Sequence, residues 1–146
     1  ETGVAAGFSS YAILKAIDEN NKGRLYSSDF PYFRIPNPER FIGIIIPEVL
    51  KKHWELFIDG DDLNLLRISK KVKGIDIFHY DSDKSYFGRE KALNILKKNI
   101  GDNTILIMDD IQDNSFFYDY VLELVNSNWY IFKFEGKYIG VVGNFN

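Results

Sequence analysis

The sequence predicts an α/β fold, a mostly parallel sheet layered between helices with an antiparallel hairpin at its C-terminal end. Three observations predict it. Short apolar runs that break into acidic residues, 75–80 before Asp81 and 104–108 before Asp109-Asp110, alternate with segments of helical periodicity. A glycine-rich turn, Gly3 to Gly7, leads straight into one of those helical segments. Two β-rich stretches, 129–134 and 138–142, flank the turn Glu135-Gly136-Lys137 and read as a terminal hairpin. Strands that end in carboxylates deliver them to one edge of a parallel sheet, the edge at which open α/β sheets bind ligands.

Along the chain, Tyr11, Ile13, Leu14 and Ile17 recur at helical spacing after the glycine turn. Free backbone N–H groups and the positive end of the helix dipole therefore gather at residues 7–10, and small residues there let a ligand approach the backbone. A strand is expected before such a turn. The sequence opens where that strand would end, so the natural protein is expected to extend N-terminally. Residues 24–29 read as a strand ending in Asp29, roughly 20–25 residues after the glycine turn, the separation at which dinucleotide-type folds place a ribose-binding carboxylate. The competing reading is that Asp29 caps or solvates a loop. Pro31, Pro36 and Pro38 make 30–40 a loop. Residues 47–54 read as a short helix with proline near its first turn, and 55–58 as a strand ended by Asp59-Gly60-Asp61-Asp62. Asp62 starts a helix that leaves through the basic turn 70–74. After the strand 75–80 come an amphipathic helix over 87–100, the strand 104–108, and a helix capped by Asn114 and running through Val125. One domain over residues 1–146 accommodates them all.

At 146 residues, with 45% hydrophobic and 16% aromatic side chains, the chain has the means to bury a core and lacks the composition of disorder. A formal charge of −3 leaves no electrostatic footprint for nucleic acid and disfavours an anionic membrane. The absence of cysteine excludes disulfides, thiolate zinc sites and cysteine nucleophiles. The longest apolar run, 41–47, is too short to span a bilayer. The expectation is a cytoplasmic protein whose partner is a small-molecule acceptor; a homodimer is compatible with this reading.

Four stretches then carry a resemblance: Glu1-x-Gly3-x-x-x-Gly7-x-Ser9; residues 43–54 followed by Asp59-Gly60-Asp61; Asp76-Ile-Phe-His-Tyr-Asp81-Ser-Asp83-Lys84-Ser-Tyr86; and Asp109-Asp110-x-x-x-Asn114-x-Phe116. In order and spacing the chain resembles the class I methyltransferases that use S-adenosylmethionine, in the small-molecule O-methyltransferase branch (methyltransferase family 24, with macrocin- and catechol-O-methyltransferase-like members). The resemblance covers essentially the whole chain. It implies a Rossmann-like three-layer sandwich whose final antiparallel strand separates it from the dinucleotide dehydrogenases.

The resemblance also implies roles. Glu1 and Gly3 would lie beside the methionine part of the cofactor, with Gly7 and Ser9 in the turn beneath it. Asp29 would accept from the ribose hydroxyls, a task suited to a carboxylate. Gly60, Asp61 and Asp62 would edge the adenine. Asp81, Asp109 and Asp110 match positions that hold Mg²⁺ in the divalent-metal members, through oxygen ligands that suit a hard cation, and Asp81 also borders the cofactor. Lys84, three residues after Asp81, stands where the catechol-type enzymes carry a lysine base and where the closer-looking branch more often has histidine, so Asp81 and Lys84 are the catalytic candidates. His79 reads as structural and His53 as packing or surface, a distant second base.

Plainer readings stand beside these. Asp109-Asp110, and likewise Asp81 with Asp83, have the composition of helix N-caps and solvated acids. A nicotinamide-binding oxidoreductase is disfavoured because the opening is Gly-x-x-x-Gly rather than Gly-x-Gly-x-x-Gly. A non-catalytic member of the fold also remains open. Tyr32, Phe33, Phe41 and Tyr86 could line an aromatic acceptor pocket, although aromatic residues more often fill core.

Overall fold

In the computed structural model, residues 1–31, 34–124 and 128–144 are described, and they fall into two compact units, Glu1–Asn64 and Leu65–Asn146. Tyr32, Phe33 and Val125 lie outside the described residues.

The first unit is built on two parallel strands. The β1 strand (Leu25–Ser28) pairs with β2 (Trp54–Phe57) in the register Leu25 to Trp54 and Ser28 to Phe57. Residues 1–3 run beside β1 as the end of a strand would. Thr2 bridges Ser28 in parallel, Ser28 N donates to Glu1 O at 2.9 Å, and Gly3 N donates to Ser28 O at 2.9 Å. Helix α1 (Phe8–Asn20) starts from Gly7 in the left-handed region (φ 100), with no side chain capping it, and ends at the left-handed Asn21. Its apolar stripe packs Leu14 against Leu25, Ile46 and Leu50, with Ile13, Ile17 and Trp54 around them. The segment expected to be a short helix over 47–54 is a 3₁₀ turn, Glu48–His53, the usual form of so brief a helical segment. It buries Leu50, and Trp54 already belongs to β2. Within the 30–40 loop, a second 3₁₀ turn begins at Pro38 (Pro38–Phe41). Helix α2 (Asp61–Lys71) follows Gly60 (φ 84).

The second unit is a four-stranded sheet in the order β3-β4-β6-β5. Here β3 (Ile77–Tyr80) and β4 (Ile105–Met108) are parallel, while β6 (Lys137–Gly143) runs antiparallel to β4 and to β5 (Asn128–Phe134). This is the parallel arrangement with a terminal antiparallel hairpin expected from the sequence. Phe78, Tyr80, Leu106, Met108 and Val142 are its buried strand residues; Ala92, Leu93 and Leu96 are buried on helix α3 (Tyr86–Leu96), and Phe116, Phe117 and Val121 on α4 (Phe116–Leu122). Gly140 has no room for a side chain: a Cβ there would stand 2.3 Å from the Phe117 ring. Helix α3 ends at Leu96, short of the expected Ile100, because Asn99 turns out of the helical path. Its backbone N–H reaches only to Leu96 O, and its side-chain amide donates to Ser69 O and Val72 O at 3.1 and 2.8 Å. None of the described helices is long and apolar enough to cross a membrane.

Candidate active site

The sequence-predicted residues form two groups, one in each unit. In the first, Glu1 is buried and its carboxylate is turned into the protein. Oε1 accepts from Ser9 Oγ at 2.7 Å, and Oε2 accepts from Ser10 Oγ at 2.5 Å and from Ser27 Oγ at 3.0 Å. Glu1 and Ser9 therefore hold the start of α1 to β1. Asp29, at the end of β1, accepts from Val4 N at 2.9 Å and Ala5 N at 2.7 Å through Oδ2, and from Phe30 N at 2.6 Å through Oδ1. It thus fixes the turn in which Gly3 (φ 78), Ala5 (φ 46) and Gly7 (φ 100) all lie in the left-handed region. A carboxylate offers about four acceptor positions, so capacity remains for hydroxyls of a ligand. The small size of Gly7 serves the protein itself, since a Cβ would come within 2.9 Å of the Gly43 Cα. Gly60 N donates to Asp29 O at 3.3 Å, and Asp61 accepts from Ser28 Oγ at 2.5 Å, so the adenine candidates share the rim formed by the ends of β1 and β2. Asp62 stands beside Asp61 in the first turn of α2.

Sequence reasoning missed the residue that joins this group. Asn64 is fully buried; its amide donates to Ser28 Oγ, Asp29 O and Phe57 O, and its oxygen accepts from Asp59 N. An asparagine one turn into a helix otherwise reads as surface, and the only available signal was its place among apolar neighbours, Leu63, Leu65 and Leu66.

In the second unit, the parallel pairing of Tyr80 with Met108 brings the turn after β3 alongside the turn after β4. Asp81, Asp109 and Asp110 each offer an oxygen, and the three lie within 4.8 Å of one another. Lys84 comes among them: it pairs with Asp81, with Asp109 at 3.8 Å and with Asp110 at 3.4 Å. Lys137 of β6 adds a second cation at 3.4 Å from Asp110. Burial raises the Asp81 carboxyl above its ordinary value, against the pull of Lys84, and Asp109 adds to the rise. Burial pulls Asp110 upward too, but the Gln112 hydrogen bond and the charges of Lys84 and Lys137 together take it below the ordinary value. Three hard oxygen donors at this spacing fit a divalent cation. Of the pair read as plain turn acids, Asp83 takes that role, accepting from Ser85 N at 2.9 Å, while the cap of α3 is Ser85, which accepts from Gly88 N at 3.0 Å. Asp110, by contrast, caps no helix through its side chain. Asn114, expected as the cap of α4, instead precedes the N-cap Ser115, which makes no side-chain cap bond; Asn114 accepts from Phe116 N at 3.1 Å across a short turn before the helix. His79 is half-buried within β3, and His53 lies 3.4 Å from Asp18 beside Lys52. Of the aromatic candidates, Tyr86 packs edge-on against Phe116, and Phe41 is 46% exposed.

The arrangement is an α/β, Rossmann-like fold. Its likeness to solved structures supports that class: a Podospora anserina methyltransferase bound to SAH (TM-score 0.64, 11% identity, covering 97% of this chain and 69% of that one); a provisionally assigned O-methyltransferase from Klebsiella pneumoniae (0.72, 12%, 97% and 70%); and an rRNA methylase from Streptococcus thermophilus (0.64, 10%, 99% and 84%). At such identities the likeness establishes the fold. No curated protein matches the chain. The family model described as "Methyltransferase domain" matches residues 1–111, and the chain belongs to that family, methyltransferase family 24. It is an S-adenosylmethionine-dependent methyltransferase, and the nicotinamide and non-catalytic readings fall away.

Proposed function

We propose that the protein O-methylates a small hydroxylated molecule such as a phenol, sugar or natural-product intermediate, with a divalent cation assisting. The observation that carries this reading is the placement of Lys84 among the carboxylates of Asp81, Asp109 and Asp110.

S-Adenosylmethionine supplies an electrophilic methyl group on sulfur. The first unit would hold it: Gly3 and Gly7 would shape the turn for the methionine part, Glu1 and Ser9 keep that turn in place, and Asp29 would receive the ribose hydroxyls. Gly60, Asp61 and Asp62 border the adenine. In the second unit, Asp81, Asp109 and Asp110 would hold Mg²⁺, whose charge would favour ionisation of an acceptor hydroxyl. Lys84 would accept the hydroxyl proton. The chemistry S-adenosylmethionine would supply is a methyl carbon open to attack by an oxygen, with the carbon–sulfur electron pair leaving to sulfur. What this asks of the protein is orientation and one proton transfer.

The rRNA methylase among the similar folds raises an RNA acceptor as a second reading. The net charge of −3 disfavours it, because phosphate binding needs a basic face. Calorimetry with S-adenosylhomocysteine tests the division of labour. Asp29→Ala is expected to weaken binding and Asp109→Asn to leave it intact while reducing Mg²⁺-dependent turnover. Unchanged affinity in Asp29→Ala contradicts the ribose assignment, and methylation of an rRNA fragment in preference to small diols contradicts the acceptor assignment.

A further inference from the structure

Helix α3 carries an arginine that the pattern of its neighbours gives no reason to expect. Arg89 follows the exposed Phe87 and precedes the core positions Ala92 and Leu93, yet it is fully buried. Its guanidinium is answered by neutral oxygens: Nη2 donates to Asp109 O at 3.0 Å and Asp110 O at 2.9 Å, and Nη1 lies 3.4 Å from Asn114 Oδ1. Nε has no partner among the described residues. A buried charge that is incompletely satisfied contributes little to stability in its own right, which points to another reason for its presence.

The contacts supply that reason. Asp110 lies in the left-handed region (φ 50), uncommon for a non-glycine residue although aspartate adopts it more readily than most, so contacts that hold it there matter to the turn. Arg89 binds the carbonyls of the two peptide units that flank Asp110, Asp109 O and Asp110 O, and so spans the turn that carries two of the three clustered carboxylates. The same guanidinium also meets Asn114, whose amide donates to Lys84 O at 2.6 Å. One side chain thus ties the turn after β4 directly, and the turn after β3 through Asn114. Planar geometry and several fixed donors make arginine suited to this, where a lysine offers a single point charge.

We propose that Arg89 is a positioning residue, which sets the backbone of Asp109 and Asp110 and, through Asn114, that of Lys84, so that the carboxylates and the amine converge. The inference rests on the reading of Asp81, Asp109, Asp110 and Lys84 as the acceptor side of the site. It is tested on the full chain with Arg89→Met and Arg89→Lys, using Mn²⁺ as the probe, followed by electron paramagnetic resonance, and backbone amide exchange.

Outer residues that orient metal ligands typically change metal affinity about 10- to 100-fold, and a loss of that size is expected in both variants with S-adenosylhomocysteine binding unchanged. Amide exchange over 109–114 and 84–86 is expected to rise, with β3 and β4 unaffected. Should the methionine variant not fold, the lysine variant carries the test. Wild-type Mn²⁺ affinity in a folded variant overturns the proposal. If the wild-type protein itself binds no Mn²⁺, the metal assignment fails on its own, and exchange decides for Arg89: a local rise sustains its positioning role and a flat profile overturns it.

Discussion

Lys84 and Asp110 stand 3.4 Å apart, ammonium to carboxylate, although they belong to turns that follow different strands. The parallel register of β3 and β4, with Tyr80 opposite Met108, makes them neighbours. Side-chain exposures of 25% and 14% leave the pair partly screened from water, so its Coulomb term exceeds that of a surface pair and stays well below the dry-interior limit. If Lys84 moves the acceptor proton, Lys84→Met is expected to lower turnover about 10²- to 10⁴-fold, the usual contribution of a positioned acid or base. Binding of S-adenosylhomocysteine should not change. Steady-state rates paired with calorimetry check this, and retained turnover removes Lys84 from the chemistry.

Asp81 gives a prediction in pH. Its folded value is raised, chiefly by burial, so the fold favours the protonated carboxyl. The stability it contributes is complete below the ordinary carboxyl range and is lost as pH rises through the folded value. Above that folded value the ionised group is a cost to the metal-free fold. Asp81→Asn is expected to raise the thermal midpoint of metal-free protein at pH 7, to lose that advantage at acid pH, and to abolish turnover. A midpoint that falls at pH 7 contradicts the burial argument.

Much of the second unit could be read in the sequence because its strands are short apolar runs ended by acids, and because Glu135-Gly136-Lys137 marks a hairpin. The acidic cluster was legible from the spacing of Asp81 and Asp109-Asp110. What stayed hidden were the buried polar residues that hold the turns. Arg89, Asn64 and Asn99 carry no periodic signature, since their roles depend on carbonyls brought close by tertiary structure. The two turns also share a device that no linear pattern reveals. A charged side chain holds a strained residue in each: the Asp29 carboxylate accepts from Ala5 N, and the Arg89 guanidinium donates to Asp110 O.

Asp29 consequently does two things, and its variants should separate them. Asp29→Ala leaves the N–H groups of Val4, Ala5 and Phe30 without their acceptor; Ala5 and Phe30 are exposed and can turn to water, while the part-buried Val4 N–H left unsatisfied costs about 1–3 kcal/mol. Asp29→Asn keeps an acceptor oxygen and should retain most of the stability while weakening S-adenosylhomocysteine binding. Denaturant melts and calorimetry on both variants decide; equal affinity in the asparagine variant and the wild type contradicts a ribose role for the charge.

Gly140 tests the packing beneath the second unit. Alanine there would force its Cβ onto the Phe117 ring, so Gly140→Ala is expected to destabilise by about 1–3 kcal/mol, the usual cost of overpacking. Chemical denaturation measures it directly, and a neutral result would mean that the ring can move aside.

Methyl transfer from radiolabelled S-adenosylmethionine to a panel of vicinal diols, followed before chelation, in EDTA and after Mg²⁺ is restored, bears most directly on the acidic cluster. Transfer should stop in EDTA and return with Mg²⁺ in the wild-type protein, and should not return in Asp109→Asn. Undiminished transfer in EDTA would contradict the assignment of Asp81, Asp109 and Asp110 as a metal cradle.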